Sequence, residues 1–485
     1  MNVKFVFRIV SLAILITSVF MIAPAAIALI DGEIKNASAY IVTTLLMMII
    51  SSAMLIATKN YKSSVYAQEG VAATGLSWLS ISLFGALPFF WSGEIPNYID
   101  ALFEIISGFT TTGASILSDV ESLSRCNLYW RSFSHWLGGM GMLVFILAVI
   151  PQTKKGSGSG IYLMRAESPG PSVGKFTPHI RETALILYGI YLLLTLLCVI
   201  FLIAGGMPVF ESLCTAFGTA GTGGFGVKND SFASYSSYLQ NVATVFMFLF
   251  GVNFNIYFFI ILRQFKAVLK NEELRAYILI AVTAVIAISI NISNMYSSIG
   301  ETIKHAAFQV SSIMTTTGYA TVDFELWPAF SKSILFLLMF IGACAGSTGG
   351  GLKVARILLL GKSIRETISN ALHPRRVSVI RMDGRIVDKN VVNSTNAYLA
   401  VYCMLILVSY AIISIDNYSL GTNISAVVAC FNNIGPGFEM VGATGNYSHF
   451  SILSKLVLTA DMLLGRLEIF PLLTLISPDL WSRKR

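Results

Sequence analysis

Apolar runs long enough to cross a bilayer recur along the whole chain. They cover roughly 1–30, 39–57, 71–91, 132–151, 182–206, 238–262, 276–298, 332–360, 396–416 and 452–476. A helix rises about 1.5 Å per residue and a hydrocarbon core is about 30 Å thick, so the pattern predicts ten spans. The connections after spans three, five, seven and nine hold shorter apolar stretches: "IDALFEIISGF", "PVFESLCTAFG", "TIKHAAFQVSSIM" and "NISAVVACFNN". These predict half-helices that enter the membrane and stop. Irregular backbone at membrane depth is tolerated only inside protein or beside a water-filled cavity, so four such segments predict a cavity.

Composition agrees. The 485 residues are 55% hydrophobic and 12% charged, with a mean hydropathy of +0.72, which marks a polytopic membrane protein rather than several soluble domains. Met1–Ile30 has a basic start and an apolar run, but the run is long for a signal peptide and Ala39–Ala57 follows directly; two spanning helices are expected. Lys and Arg concentrate in alternate connections (59–62, 154–181, 263–275, 362–389 and the terminal "SRKR"), which predicts cytoplasmic termini. The formal charge of +8 is thereby explained without nucleic acid. Trp91, Trp130, Trp327 and Trp481 are expected to form an interfacial belt. The six cysteines include no CxxC and the five histidines no metal-ligand spacing, so neither a disulfide framework nor a zinc site is expected.

The four short stretches end in a repeat. "SGFTTTGAS" and "SSIMTTTGYA" share TTTG at Thr110, Thr111, Thr112, Gly113 and at Thr315, Thr316, Thr317, Gly318. The second copy reads "FGTAGTGGFG", with Thr222, Gly223 and Gly224, and the fourth "CFNNIGPGF", with Asn432, Asn433, Ile434 and Gly435. Alignment of Gly113, Gly224, Gly318 and Gly435 gives intervals of 111, 94 and 117 residues, with Gly223 a close competitor in the second copy. A half-helix presents the negative end of its dipole where each motif begins. The freed backbone beyond it offers carbonyl oxygens, and glycine permits dihedrals that other residues resist. Four such loops around one axis make a ring able to replace a cation's hydration shell. The plainer reading of one copy, a tight turn or a small-residue packing seam, becomes less economical with each registered repeat.

The run 332–360 is interrupted by "GACAGSTGGGLK" at residues 342–353. Each interior glycine costs a helix roughly 0.5–1 kcal/mol relative to alanine. An unwound segment here must line a hydrated path, and Gly346, Ser347, Thr348, Gly349, Gly350 and Gly351 are read as a mobile gate. A GxxxG-like packing face accounts for Gly342 and Gly346 but not for three successive glycines. The ending is no Walker A, since Leu352 separates Gly351 from Lys353 and no Ser or Thr follows. In the last span lie Asp461, Arg466 and Glu468. Charges at such depth cost about 2.5–3.5 kcal/mol each on insertion scales. Helical geometry puts Asp461 and Glu468 on one face and Arg466 away from both, so Arg466 either meets another helix or faces the pore. Acidic residues near the outer mouth (Asp100, Glu104, Asp119, Glu211, Asp323, Glu325, Glu439) are each better read as caps or surface groups than as a cation-concentrating ring.

On these residues, together with "HWLGGMG" at 135–141, "HPRRV" at 373–377 and "GRLEIFP" at 465–471, the sequence resembles the TrkH-type bacterial potassium-uptake subunits of the Trk/Ktr superfamily over nearly its whole length. The resemblance implies an all-α polytopic membrane protein of four M1–P–M2 repeats, like those of potassium channels, around a pseudo-fourfold pore, plus two extra N-terminal helices. The corresponding divisions are 1–60, 61–155, 156–265, 266–365 with the broken second helix, and 366–485. It implies potassium held by oxygens of Thr111, Thr112, Thr222, Gly223, Thr316, Thr317, Asn433 and Ile434, with Gly113 at a position that is serine in some sodium-permeable plant relatives. A homodimer in the bacterial inner membrane, a cytosolic TrkA-type nucleotide-binding ring, an intramembrane gate loop and a pore arginine at Arg466 are implied as well. No covalently bound cofactor is expected. The fourth copy departs from TTTG, so fourfold symmetry is approximate. A coupled cation symporter using the same filter is the alternative; an intramembrane enzyme lacks any nucleophile–base arrangement.

Overall fold

The computed structural model describes residues 1–59, 67–141, 180–373, 375 and 379–478. Most of the basic 151–181 loop, Arg376 and Val377 of "HPRRV", and Trp481 with the terminal basic run lie outside them.

The chain opens with α1 (Val3–Phe20) and α2 (Ile22–Ile30), which together make one span, and α3 (Ile34–Ala57) returns antiparallel to it. α4 (Ala67–Gly85) continues into the short α5 (Leu87–Ser92), with Pro88 near its start. Four half-helices follow at intervals. They are α6 (Tyr98–Phe109), later α9 (Val209–Gly221), α14 (Ile299–Met314) and α18 (Leu420–Phe431). At 12 to 16 residues they fall short of a bilayer. Each starts from a signal visible in the sequence. Asn97, Ser298 and Ser419 accept from the first-turn N–H groups of α6, α14 and α18, while Pro208 opens α9.

Long helices precede the half-helices of the second, third and fourth units: α8 (Ile180–Ala204), α13 (Glu272–Asn291) and α17 (Lys389–Ile413). The helix after the first half-helix, α7 (Arg125–Gly139), ends at Met140, beside Gly141 at φ 83°. In the second, third and fourth units the helix after the half-helix is interrupted. α10 (Ser237–Phe250) and α11 (Phe254–Ile261) meet at 90°. The short α12 (Phe265–Lys270) leads from there to α13. α15 (Ala329–Ile341) and α16 (Val354–Leu372) flank residues 342–353. α19 (Ile452–Arg466) and α20 (Phe470–Ile476) flank Leu467–Ile469, where Glu468 and Ile469 have φ of 62° and 64°. Of ten expected spans, six described helices are long and apolar enough to cross, or seven counting the bent α10–α11 pair. The expected second helices near 238–262, 332–360 and 452–476 are therefore broken, not continuous. Only the break at 342–353 is advertised by a glycine run.

Packing closes the units into a ring. α6, α9, α14 and α18 pack on α7, α10, α15 and α19 of their own units. Each also packs on the preceding unit's helix: α9 on α7, α14 on α10, α18 on α15, and α6 on α19. The last contact joins the first unit to the fourth. Among the described residues the helical fold carries one hairpin of two-residue strands, β1 (Arg381–Met382) with β2 (Arg385–Ile386), just before α17. Two tryptophans depart from the expected belt: Trp130 is wholly buried with Nε1 donating to the Gly85 carbonyl at 3.1 Å, and Trp327 is buried with Nε1 donating to Tyr296 Oη at 3.0 Å.

Candidate functional site: the glycine ring and the loop beneath it

All four half-helices end in one hydrogen-bond pattern. Thr111 N–H donates to Gly108 O at 3.1 Å and Thr112 N–H to Ser107 O at 2.9 Å. The same pair recurs as Thr222 to Thr219 and Gly223 to Gly218, as Thr316 to Ile313 and Thr317 to Ser312, and as Asn433 to Cys430 and Ile434 to Ala429. This is a Schellman closure, which needs a left-handed residue just past the helix. That residue is Thr111, Thr222, Thr316 or Asn433, at φ of 56°, 54°, 59° and 57°. Glycine usually takes this position. A threonine there costs on the order of 1–3 kcal/mol and persists only where its surroundings hold it. Beyond it, Gly113, Gly224, Gly318 and Gly435 have φ of 81°, 78°, 85° and 93°. Gly223 is absent from the positive-φ set, so Gly224 is the structural counterpart of the other three.

The glycines interlock. A side-chain carbon on Gly113 would run into the Gly223 carbonyl oxygen, one on Gly224 into Thr317 O, and one on Gly318 into Ile434 O. One on Gly435 would stand 2.7 Å from Thr112 O, closing the cycle. Each contact is with the carbonyl preceding the positive-φ glycine of the adjacent unit, so the four backbones meet around one axis. Threonine hydroxyls tie the loops locally: Thr110 to Thr112 and Thr315 to Thr317, both at 2.8 Å. In the fourth unit the Asn432 amide bonds back to Val428 O at 2.9 Å, as Thr110 and Thr315 bond back to Ile106 and Ser311. Asn433 Nδ2 donates to Thr112 Oγ1 at 2.9 Å, linking units four and one. Thr111 Oγ1 and Asn433 Oδ1 are buried polar oxygens with no hydrogen-bond partner among the described residues.

Residues 342–353 sit directly against this ring. Gly350 N–H donates to Thr316 Oγ1 at 2.6 Å, and a side-chain carbon on Gly349 would stand 2.9 Å from Thr315 O. Ser347 and Thr348 are buried, the latter donating to Phe250 O at 3.2 Å, and Gly346 O accepts from Phe254 N–H at 3.0 Å. The loop therefore lodges in the break between α10 and α11. Gly346 and Gly351 take φ of 71° and 75°, as a helix interruption requires. Lys353, buried at φ 72°, turns its ammonium onto the Gly349 carbonyl.

Arg466, the last residue of α19, reaches across to the loop. It donates to Thr348 O at 2.8 Å and to Gly139 O at 2.7 Å, and also bonds Gly138 O. A fourth-unit guanidinium thus bridges first- and third-unit carbonyls. The expectation that Glu468 shares a helical face with Asp461 does not hold, because α19 ends at Arg466. Glu468 instead pairs with Arg356 of α16, whose guanidinium lies 3.9 Å from the Tyr398 ring centre. Asp461 is buried and accepts from Ser409 Oγ at 2.7 Å.

Several supports carried no clear sequence signal. His135 Nδ1 bonds Gly108 O at 2.8 Å while Nε2 accepts from Phe225 N–H at 3.2 Å, so a neutral imidazole joins the first half-helix to the backbone just past Gly224. Four residues earlier, Arg131 forms a buried ion pair with Glu104 at 2.5 Å, bonds Gly226 O at 2.9 Å and lies 3.5 Å over Phe225. Glu104 also accepts from Ile116 N–H at 3.0 Å. It is a scaffold group, not a vestibule charge. Asp100 pairs with Lys455 at 2.7 Å, Glu325 with Lys332 at 3.3 Å, Glu211 accepts from Tyr235 at 2.7 Å, and Glu439 binds Ser419 and Thr422. These carboxylates act as caps and hydrogen-bond acceptors, and Asp100 and Glu325 form ion pairs that the sequence reading of caps or surface groups did not include.

The TrkH family, described as a cation transport protein, matches residues 37–483. The chain belongs to the TrkH family. The Trk system potassium uptake protein TrkH of Salmonella typhimurium is 36% identical over 99% of this chain and all of its own length. TrkG of Escherichia coli is 34% identical over 96% of both chains. The crystal structure of the potassium transporter TrkH from Vibrio parahaemolyticus superposes with a TM-score of 0.87 at 31% identity, covering 99% of this chain and 100% of that one. With these relatives and its apolar helices, the chain is a multi-pass membrane protein of TrkH fold.

Proposed function

We propose that this TrkH-family chain is the pore-forming subunit of a potassium-uptake system. Potassium moves through the ring at Gly113, Gly224, Gly318 and Gly435, dehydrated by oxygens of Thr111, Thr112, Thr222, Gly223, Thr316, Thr317, Asn433 and Ile434. The observation that carries the reading is the closed cycle of glycine-to-carbonyl contacts, which gives four registered loops a common axis. Two unpartnered buried oxygens in those loops, Thr111 Oγ1 and Asn433 Oδ1, fit a cation as their missing partner. The relatives' description as potassium uptake proteins supports the choice of ion.

Gly346–Gly351 and Arg466 form the gate below the ring. The loop fills the pathway and the arginine ties it down while placing positive charge where cations must pass. The units run 61–155, 156–265, 266–365 and 366–485, after N-terminal helices in 1–60. Charge alternation supports cytoplasmic termini in a bacterial inner membrane. A cytosolic TrkA-type ring and a homodimer complete the assembly.

Reconstitution into liposomes tests the reading. Potassium and rubidium flux should exceed sodium and lithium flux, with unitary currents in bilayer recordings. Flux without ionic discrimination removes the filter, and strict turnover without unitary currents makes the protein a coupled symporter.

A further inference from the structure

The two limbs of the 342–353 loop are separated by nine residues between Ala345 and Ala355, yet one oxygen holds both. Glu273 Oε1, in the first turn of α13, accepts from Ala345 N–H at 2.6 Å and from Ala355 N–H at 3.1 Å. The second bond replaces a missing cap. α16 begins after Lys353, which has a left-handed backbone and makes no side-chain cap bond. Its first-turn N–H groups need an acceptor, and a carboxylate at a helix N-terminus is favoured twice, by hydrogen bonding and by the dipole. Glu273 is itself buried, so its oxygen has little water to turn to if either limb leaves.

The same helix start is gripped from the cytoplasmic side. Asp383, in the turn of the β1–β2 hairpin, accepts from Glu272 N–H at 2.7 Å and from Asn271 Nδ2 at 3.1 Å. Glu272 in turn accepts from Asp383 N–H at 3.1 Å and pairs with Lys362 of α16. Lys362 also donates to the Arg381 carbonyl at 2.6 Å. Adjacent residues of α13 thus face opposite ways, Glu272 to the hairpin and Glu273 to the loop.

We propose that Glu273 is a positioning residue, the latch that holds both limbs of the intramembrane loop in its closed arrangement, and that the hairpin at 381–386 bears on the loop through it. The proposal rests on the reading of the loop as the gate. Displacing the hairpin moves the start of α13, draws Glu273 from one limb or both, and frees Gly346–Gly351 to leave the ring. A partner that binds the hairpin gains leverage on a site deep in the membrane by this short route.

Cys344 supplies a readout of loop release that does not depend on conduction, since it is buried within the entering limb. In a full-length chain keeping Cys344 as its single cysteine, alkylation by N-ethylmaleimide is followed in proteoliposomes together with rubidium uptake. Glu273→Ala and Glu273→Asp, which remove the acceptor or draw it back, should speed Cys344 alkylation roughly tenfold or more. Glu273→Gln keeps an oxygen for both donors and should stay near the parent rate. Asp383→Ala should give a smaller rise of the same sign. Should the alanine variant not fold, the aspartate and glutamine pair carries the comparison.

Equal alkylation rates in the parent, Glu273→Ala and Glu273→Asp overturn the latch, as does a glutamine variant as reactive as alanine. An unchanged rate in Asp383→Ala removes the hairpin from it. Faster alkylation with unaltered rubidium uptake leaves the latch standing and overturns the gate reading instead.

Discussion

Gly350 and Thr316 join the 342–353 loop to the glycine ring: the glycine N–H donates to Thr316 Oγ1 at 2.6 Å. Thr316 is also the left-handed residue closing the third half-helix. One side chain thus shapes the ring above and anchors the loop below. Permeation and gating are expected to be coupled at this residue.

Thr316→Val keeps the side-chain shape but removes the acceptor. A net hydrogen bond is worth about 0.5–1.5 kcal/mol, so basal rubidium uptake in liposomes should rise roughly two- to tenfold. Thr316→Ser should retain the parent rate. A valine variant with parental uptake would show that this bond does not hold the loop.

Arg466→Ala removes three carbonyl bonds and a positive charge from the pathway. Charge-assisted bonds are worth about 1.5–3 kcal/mol each, so uptake should rise at least about tenfold. Arg466→Lys should fall between parent and alanine, since a single ammonium cannot span the same carbonyls in a planar fork. Unchanged currents in the alanine variant would make Arg466 a structural strut only.

Gly113→Ala and Gly224→Ala each push a carbon into a neighbouring unit's carbonyl at a backbone conformation that alanine resists. Both should reduce potassium flux by roughly tenfold or more and shift reversal potentials toward those of a poorly selective pore. Gly226→Ala is the control, its nearest neighbour being Lys228 O at an ordinary 3.5 Å. Parental selectivity in Gly113→Ala would contradict the ring.

Arg131 and Glu104 form a buried pair that also supports two filter strands. Removing one partner of such a pair costs about 3–5 kcal/mol, because the other charge stays buried. Arg131→Ala should therefore lower the melting temperature of the detergent-solubilised protein markedly. The double variant Arg131→Ala, Glu104→Ala should lose less than the sum of the single losses.

Hydrophobic run length and glycine punctuation made the membrane class and the four half-helices readable from the chain. The TTTG copies likewise gave the register of the four glycine turns, except for the choice between Gly223 and Gly224. That choice turned on φ, which two adjacent glycines leave open. The breaks at Gly251–Asn253 and Leu467–Ile469 were not read from the chain, because neither carries a glycine run like that of 342–353. Both breaks lie beside the loop of the third unit, which bonds Phe250 and Arg466 across more than 90 residues. Glu104 reads in the chain as a cap or surface group, and only its buried pairing with Arg131 gives it away as scaffold.

The sequence by itself determined that this chain lives in a bilayer, that four of its apolar stretches are too short to cross one, and that each of these runs into a glycine turn. Those properties are local, set by transfer free energy and backbone sterics along a few neighbouring residues. Only the tertiary structure decided which carbonyl faces which glycine, that Arg466 spans carbonyls of two other units, and that Glu273 gathers both limbs of the loop. Such partners are selected by where desolvated donors and acceptors come to rest once the units close on one another, and residues distant in sequence carry no local mark of that meeting.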